Sequence, residues 1–203
     1  MARDPDRDPK DPDAWRASWS EAPGLVTLDV DGSAWRAVRH GPDRDEVRVD
    51  PAQVTAILEL RPRAITVAAG ADAAWTPVER LAAARGIPFR AVDRRQALAA
   101  GATFGFGGAC LAIDCGAVVT VDFADGDRYL AGETAIDAQH DDATAFCAAV
   151  DRAIYATAAV CGADGPLLVI TGPGALVYVE SGRLPVQHIP DLVHRGLVER
   201  TIR

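Results

Sequence analysis

Three times along this chain an apolar run that reads as a strand ends in a carboxylate or hydroxyl and passes into glycine. The runs are Leu28-Asp29-Val30-Asp31-Gly32-Ser33, Ile113-Asp114-Cys115-Gly116 and Ile170-Thr171-Gly172-Pro173-Gly174. Glycine in such a turn lets backbone N–H groups approach phosphate oxygens, and the carboxylate can hold a metal ion or its bound water. One strand-Asp-x-Gly alone is an ordinary tight turn, since Asp and Gly are the commonest turn residues. The constraint lies in the series: three such loops in order, with helices and strands alternating between them.

The alternation is readable from periodicity. Gly24 to Val30 is a β-rich run, Asp31-Gly32 is a turn signal, and Ala34 to Val38 can return as the second arm of a hairpin. Val54, Ile57 and Leu58 fall at helical spacing within residues 52 to 60, and Ala64 to Ala69 reads as a short buried strand. Pro77 to Arg85 repeats the helical pattern, Gly86 ends it, and Ile87 to Val92 gives another strand. A helix over Arg94 to Ala102 and a glycine-rich bend around Gly105 to Gly108 follow. Cys110 to Asp114 and Ala117 to Phe123 then form a second hairpin, with Asp125-Gly126 turning into a third strand around Tyr129. Ala143 to Cys161 reads as a long helix ended by Gly162, Leu167 to Thr171 as a buried strand, and a last helix starts at Asp191, an N-cap residue type.

The organisation expected is an Asp/Pro-rich disordered leader over residues 1–22 and half-domains over 23–92 and 93–203. The leader has too little apolar content to offset its ordering entropy, although Trp15 and Trp19 sit four apart, as on one helical turn. At 203 residues and 49% hydrophobic content the chain can bury a core, or two small ones. The apolar runs are far shorter than the roughly 20 residues that span a bilayer, so no membrane partner is expected. The cysteines Cys110, Cys115, Cys147 and Cys161 lack C-x-x-C spacing and read as buried thiols, which places the chain in the cytoplasm. A formal net charge of -8 disfavours a generic nucleic-acid binder, because phosphate neutralisation needs a basic surface.

Two hairpin-led half-domains facing one another across a nucleotide cleft, with a third glycine loop near the C-terminus, is the α/β layout of the actin-like ATPase (ribonuclease H-like) fold. Within it the chain resembles the type III pantothenate kinases. The resemblance rests on Asp93-Arg94, on Asp114-Cys115-Gly116-Ala117-Val118-Val119-Thr120-Val121-Asp122, on Thr171-Gly172-Pro173, and on Pro190-Asp191-Leu192-Val193-His194-Arg195-Gly196-Leu197. It implies ATP-dependent phosphorylation of the primary hydroxyl of pantothenate, the first step toward coenzyme A, by a homodimer. By the same resemblance Asp93 is the general base, Arg94 and Thr134 bind the substrate, and Asp29 positions magnesium. Asp114 holds a monovalent cation, potassium or ammonium. Asp29, Asp31, Gly32, Ser33, Arg36, Gly116, Ala117, Thr171 and Gly172 line the ATP phosphates and nucleotide.

The chain also departs from that family's pattern. Asp31 and Gly32 stand where the first loop has glycine and asparagine, Ala91 replaces a glycine, and Ala117, Val118 and Val119 replace residues of a threonine-rich loop. A glycine- and proline-containing stretch before Thr134 is missing. Asp31 adds a like charge where phosphate approaches, which costs roughly 1 to 4 kcal/mol at about 4 Å. The alternative reading is a catalytically impaired pseudokinase of the same fold that works as a binding or regulatory protein.

Overall fold

The computed structural model describes residues 22–202 except 32–33, 43, 71–73, 105–107, 117, 127, 136–141 and 163. The leader with Trp15 and Trp19 lies outside the described residues. The chain divides into two compact units: the first runs up to Arg94 and takes in Leu197 onward, and the second is Arg95–Gly196.

In the first unit the hairpin foreseen from Asp31-Gly32 is present as β1 (Leu25–Asp31) and β2 (Ala34–Arg39). It is extended by a strand the sequence did not announce, β3 (Asp45–Val49), antiparallel to β2. A tight 3₁₀ segment, Pro51–Leu60, follows. Asp50 caps it by accepting from the Ala52 N–H at 2.8 Å, and Pro51 supplies a φ already suited to a helix start. Then come β4 (Ala64–Ala69), α1 (Thr76–Ala84) and β5 (Phe89–Asp93). The sheet order is β3-β2-β1-β4-β5, with β1, β4 and β5 mutually parallel. Strand alternation sends Leu28, Val30, Ile65 and Val67 to one face, where they pack with Ile57 and Leu60 of the 3₁₀ segment and Val78 and Ala82 of α1. Thr27, Asp29 and Thr66 point to the other face, and there Thr66 Oγ1 meets Thr201 Oγ1 at 2.9 Å.

The second unit holds most of α2 (Arg94–Thr103), then β6 (Cys110–Cys115), β7 (Val119–Asp125), β8 (Arg128–Leu130) and β9 (Thr134–Ala135). After these come α3 (Ala143–Cys161), β10 (Leu167–Thr171), α4 (Ala175–Ser181), β11 (Gln187–His188) and the first turn of α5 (Leu192–Ile202), the rest of which belongs to the first unit. The sheet order is β11-β10-β6-β7-β8, with β9 also on β7. The hairpin β6–β7 thus recurs as in the first unit, and β10 lies parallel to β6 with Thr171 level with Asp114. The helix α3 begins where Asp142 accepts from the N–H groups of Thr144 and Ala145, both at 3.0 Å, and ends at Gly162 with φ 62. Among the described residues it is the helix long and apolar enough to cross a membrane, yet Phe146, Cys147, Val150 and Ile154 are buried against Val121, Phe123 and Ile113.

Also within the second unit, α2 and α5 cross at small residues. A Cβ on Gly101 would run into the Leu192 carbonyl oxygen, and one on Gly196 into that of Ala97. Only glycine permits so close an approach of two helix backbones.

Candidate functional site

In open α/β sheets ligands gather beyond the carboxyl ends of parallel strands. Each unit puts acidic or hydroxyl residues and a turn at such an edge.

In the first unit the edge is formed by β1, β4 and β5. Asp29 is level with Ala68 on β4, and Asp93, the last residue of β5, is level with Ala69. The Asp93 residue is exposed, and the chain turns there directly into α2. Arg94, the first residue of that helix, reaches to Asp29: Nε donates to Oδ1 at 2.7 Å and Nη2 to Oδ2 at 3.2 Å. The side chains are 18% and 17% exposed, so this is a two-pronged ion pair at the sheet edge. Arg36 is likewise committed, donating from Nε and Nη2 to the Glu46 carboxylate at 2.6 and 2.7 Å. Glu46 lies on β3, which is why this partner was not foreseen. The Asp31 side chain, Gly32 and Ser33 lie outside the described residues.

Both Asp29 oxygens accept from Arg94, so a magnesium ion at this carboxylate would compete with, or share it with, a guanidinium. Among the described residues no group of three or more His, Cys, Asp or Glu is arranged to hold a metal.

In the second unit the edge is formed by β6 and β10. Asp114 is 3% exposed and Thr171 3% exposed, side by side at the strand ends. Gly172 has φ +92, and a Cβ there would lie 2.7 Å from Asp114 Oδ1 and 2.7 Å from the Cys115 carbonyl carbon. The glycine therefore allows the third loop to lie directly on the second, a contact closed by the Gly174 N–H donating to Cys115 O at 2.9 Å. Gly116 is buried. The Thr171 hydroxyl donates to Pro190 O at 3.3 Å, tying the strand end to the segment before α5. Ala117 lies outside the described residues. Asp114 is a buried carboxylate, an oxygen donor of the kind that suits an alkali-type cation.

Thr134 is exposed on β9 and belongs to a network that the sequence reading missed. Asp122, fully buried on β7, receives Arg95 Nε at 2.9 Å, Arg95 Nη2 at 2.6 Å and the Gly132 N–H at 3.1 Å. Arg95 Nη2 also donates to Gly132 O at 3.2 Å, and Nη1 lies 3.5 Å from Thr134 Oγ1. Between them Glu133 donates its N–H to Thr157 Oγ1 at 3.1 Å, and Glu133 O accepts from Val121 N at 3.0 Å. Residues 132 to 134 are thus strapped to β7 and α3. A carboxylate in the middle of the apolar strand VTVDFAD was the available signal, since a buried charge needs a partner.

Burial pushes the Cys115 thiol up to about 12, with the neighbouring Asp114 charge adding to the rise, and Cys110 is likewise raised to about 12. Neither thiol is a nucleophile at neutral pH. His188 closes β11 level with Ile170, and His194 is buried in α5.

No protein-family model and no curated protein matches the chain by sequence. Solved structures do match. A candidate N-acetylglucosamine kinase of Porphyromonas gingivalis superposes with a TM-score of 0.58 at 10% identity, covering 86% of this chain and 97% of that one. Component A of (R)-2-hydroxyglutaryl-CoA dehydratase from Acidaminococcus fermentans gives 0.56 at 12% identity, with 86% and 94% covered. The ethanolamine utilization protein EutJ of Carboxydothermus hydrogenoformans gives 0.53 at 12%, with 85% and 88% covered. At such identities the likeness concerns the fold alone, and that fold is the α/β fold of the actin-like ATPases.

Proposed function

We propose that this chain is an ATP-dependent phosphotransferase of the actin-like fold, and that its substrate is pantothenate. The observation that carries the reading is the position of Asp93: an exposed carboxylate at the carboxyl end of β5, followed at once by Arg94 on the edge that also holds Asp29. An actin-like fold whose neighbours include a candidate sugar kinase supports phosphoryl transfer as the class, and the motif resemblance supports pantothenate as the substrate.

In this reading Asp93 accepts the proton of the primary hydroxyl as that oxygen bonds to the γ-phosphorus of ATP. The bond from the γ-phosphorus to the β–γ bridging oxygen breaks, and ADP leaves with the electron pair. Arg94 holds the substrate carboxylate, a task suited to a planar two-pronged donor. In the second unit the Asp114–Gly172 contact shapes a backbone surface for nucleotide, and Asp114 takes a monovalent cation. Thr134 is the substrate-contacting hydroxyl, held in place by its strap. Magnesium, when bound with ATP, neutralises charge on the phosphates.

A coupled ATP-consumption assay with pantothenate, magnesium and potassium tests the reading. Turnover is expected for the wild type and a loss of at least about 100-fold in Asp93→Asn, since a positioned base contributes roughly 10²–10⁴-fold. Equal rates in the two proteins would remove Asp93 from its role.

A second reading has its own observation. Arg94 and Arg36, the cations named for substrate and phosphate, are both paired to carboxylates of the chain. A pseudokinase in which these pairs are permanent would bind neither ligand, and no turnover in any protein with the fold intact would favour it.

A further inference from the structure

From the Asp29–Arg94 pair we infer that Asp29 is an internal competitor for the carboxylate subsite, so that a carboxylate ligand binds by exchange with Asp29. The inference rests on the proposed role of Arg94 and adds to it how that residue is kept in reserve.

The geometry is that of a bound ligand. The Arg94 fork takes two oxygens of one carboxylate through Nε and Nη2, at 2.7 and 3.2 Å, which is the arrangement an external carboxylate would adopt. Asp29 is fixed on the central strand β1 between β2 and β4, so its carboxylate is presented by a rigid element. Arg94 is the first residue of α2, carried on a longer and more adaptable side chain. At 18% exposure the guanidinium is sheltered from bulk water but open on one side, so exchange needs a rotation of one side chain rather than an opening of the core. Another carboxylate at this edge, Asp93, is adjacent in sequence and exposed, so an arriving anion meets net negative charge unless a cation neutralises Asp29.

Exchange weakens the apparent affinity by the fraction of molecules in which Arg94 is occupied. A pair occupied nine times in ten lowers it about tenfold. A cation that draws off Asp29 frees Arg94, so cation binding and carboxylate binding reinforce each other, and by linkage the reinforcement is mutual. The pair therefore favours substrate capture after the nucleotide and its metal ion rather than before.

Pantothenate binding measured by calorimetry on the full chain without nucleotide, for wild type, Asp29→Asn, Asp29→Ser and Arg94→Gln, tests this directly. Both Asp29 variants should bind about tenfold more tightly than wild type, and Arg94→Gln in either background should abolish the gain. Magnesium should tighten binding in the wild type but not in the Asp29 variants. The serine variant guards against one substitution perturbing the fold, which circular dichroism checks. Equal or weaker binding by folded Asp29 variants, with Arg94→Gln still abolishing it, would overturn the exchange and leave Arg94 as the carboxylate site. Binding that ignores Arg94→Gln, or that no variant displays, would overturn both.

Discussion

Arg95 and Asp122 form an ion pair in which the carboxylate is fully buried. A carboxylate with no solvent exposure accepts from one guanidinium fork and one backbone N–H, and the same fork also bonds Gly132 O and reaches Thr134. Removing one member of such a pair strands the other, at a cost of about 3–5 kcal/mol, whereas replacing both by apolar groups is far milder. Arg95→Met should therefore lower the denaturant midpoint sharply, and the double variant Arg95→Met/Asp122→Leu should recover most of the loss. A double variant no more stable than the single one would refute this. The cysteines make a second residue-scale prediction. Cys110 and Cys115 rise from an ordinary 9.0 to about 12 because they are buried. Between those values the unfolded chain releases protons that the folded chain retains, so their contribution to stability is intact below pH 9 and declines as pH rises toward 12. Denaturant midpoints should fall from pH 8 to pH 10, by less in Cys115→Ala, and neither thiol should react readily with an alkylating agent at pH 8 until the protein is unfolded.

At the scale of elements, the crossing of α2 and α5 depends on side chains that are absent. Gly101→Ala and Gly196→Ala each place a methyl against a helix carbonyl, and overpacking of this kind costs about 1–3 kcal/mol or more. Both should lower the melting temperature, while Gly126→Ala, at a turn with nothing within 4 Å, should cost only the strain of its φ of +58. Comparable losses at all three positions would contradict the packing argument. The capped helix α3 was legible from sequence because its start, its apolar face and its terminal glycine agree. The elements that escaped did so for physical reasons. In β3, Asp45, Glu46 and Arg48 face solvent at a sheet edge, so the strand lacks the apolar alternation that announces a half-buried one. In α4, Val177, Tyr178 and Val179 favour a strand by propensity, but Tyr178 is buried and donates to Asp151 Oδ1 at 2.5 Å, and that tertiary anchor overrides local preference.

For the molecule as a whole, the repeated hairpin with parallel strands after it was readable because two glycine-ended strand pairs fall in the same order in both halves. The fold follows from that order. The candidate site was legible only in part: Asp29, Asp93, Arg94, Asp114 and Thr171 do stand at carboxyl edges of parallel strands, as their places at strand ends suggested. The pairing of Arg94 with Asp29 and of Arg36 with Glu46 was not legible, because side-chain partners 65 and 10 residues apart depend on register, which periodicity does not specify. The proposed phosphoryl transfer to pantothenate is read out most simply in the mass of the pantothenate itself after incubation with ATP, magnesium, potassium and the protein. A gain of one phosphoryl group that requires ATP and is lost in Asp93→Asn is expected; pantothenate recovered at its original mass from folded wild-type protein would rule the transfer out.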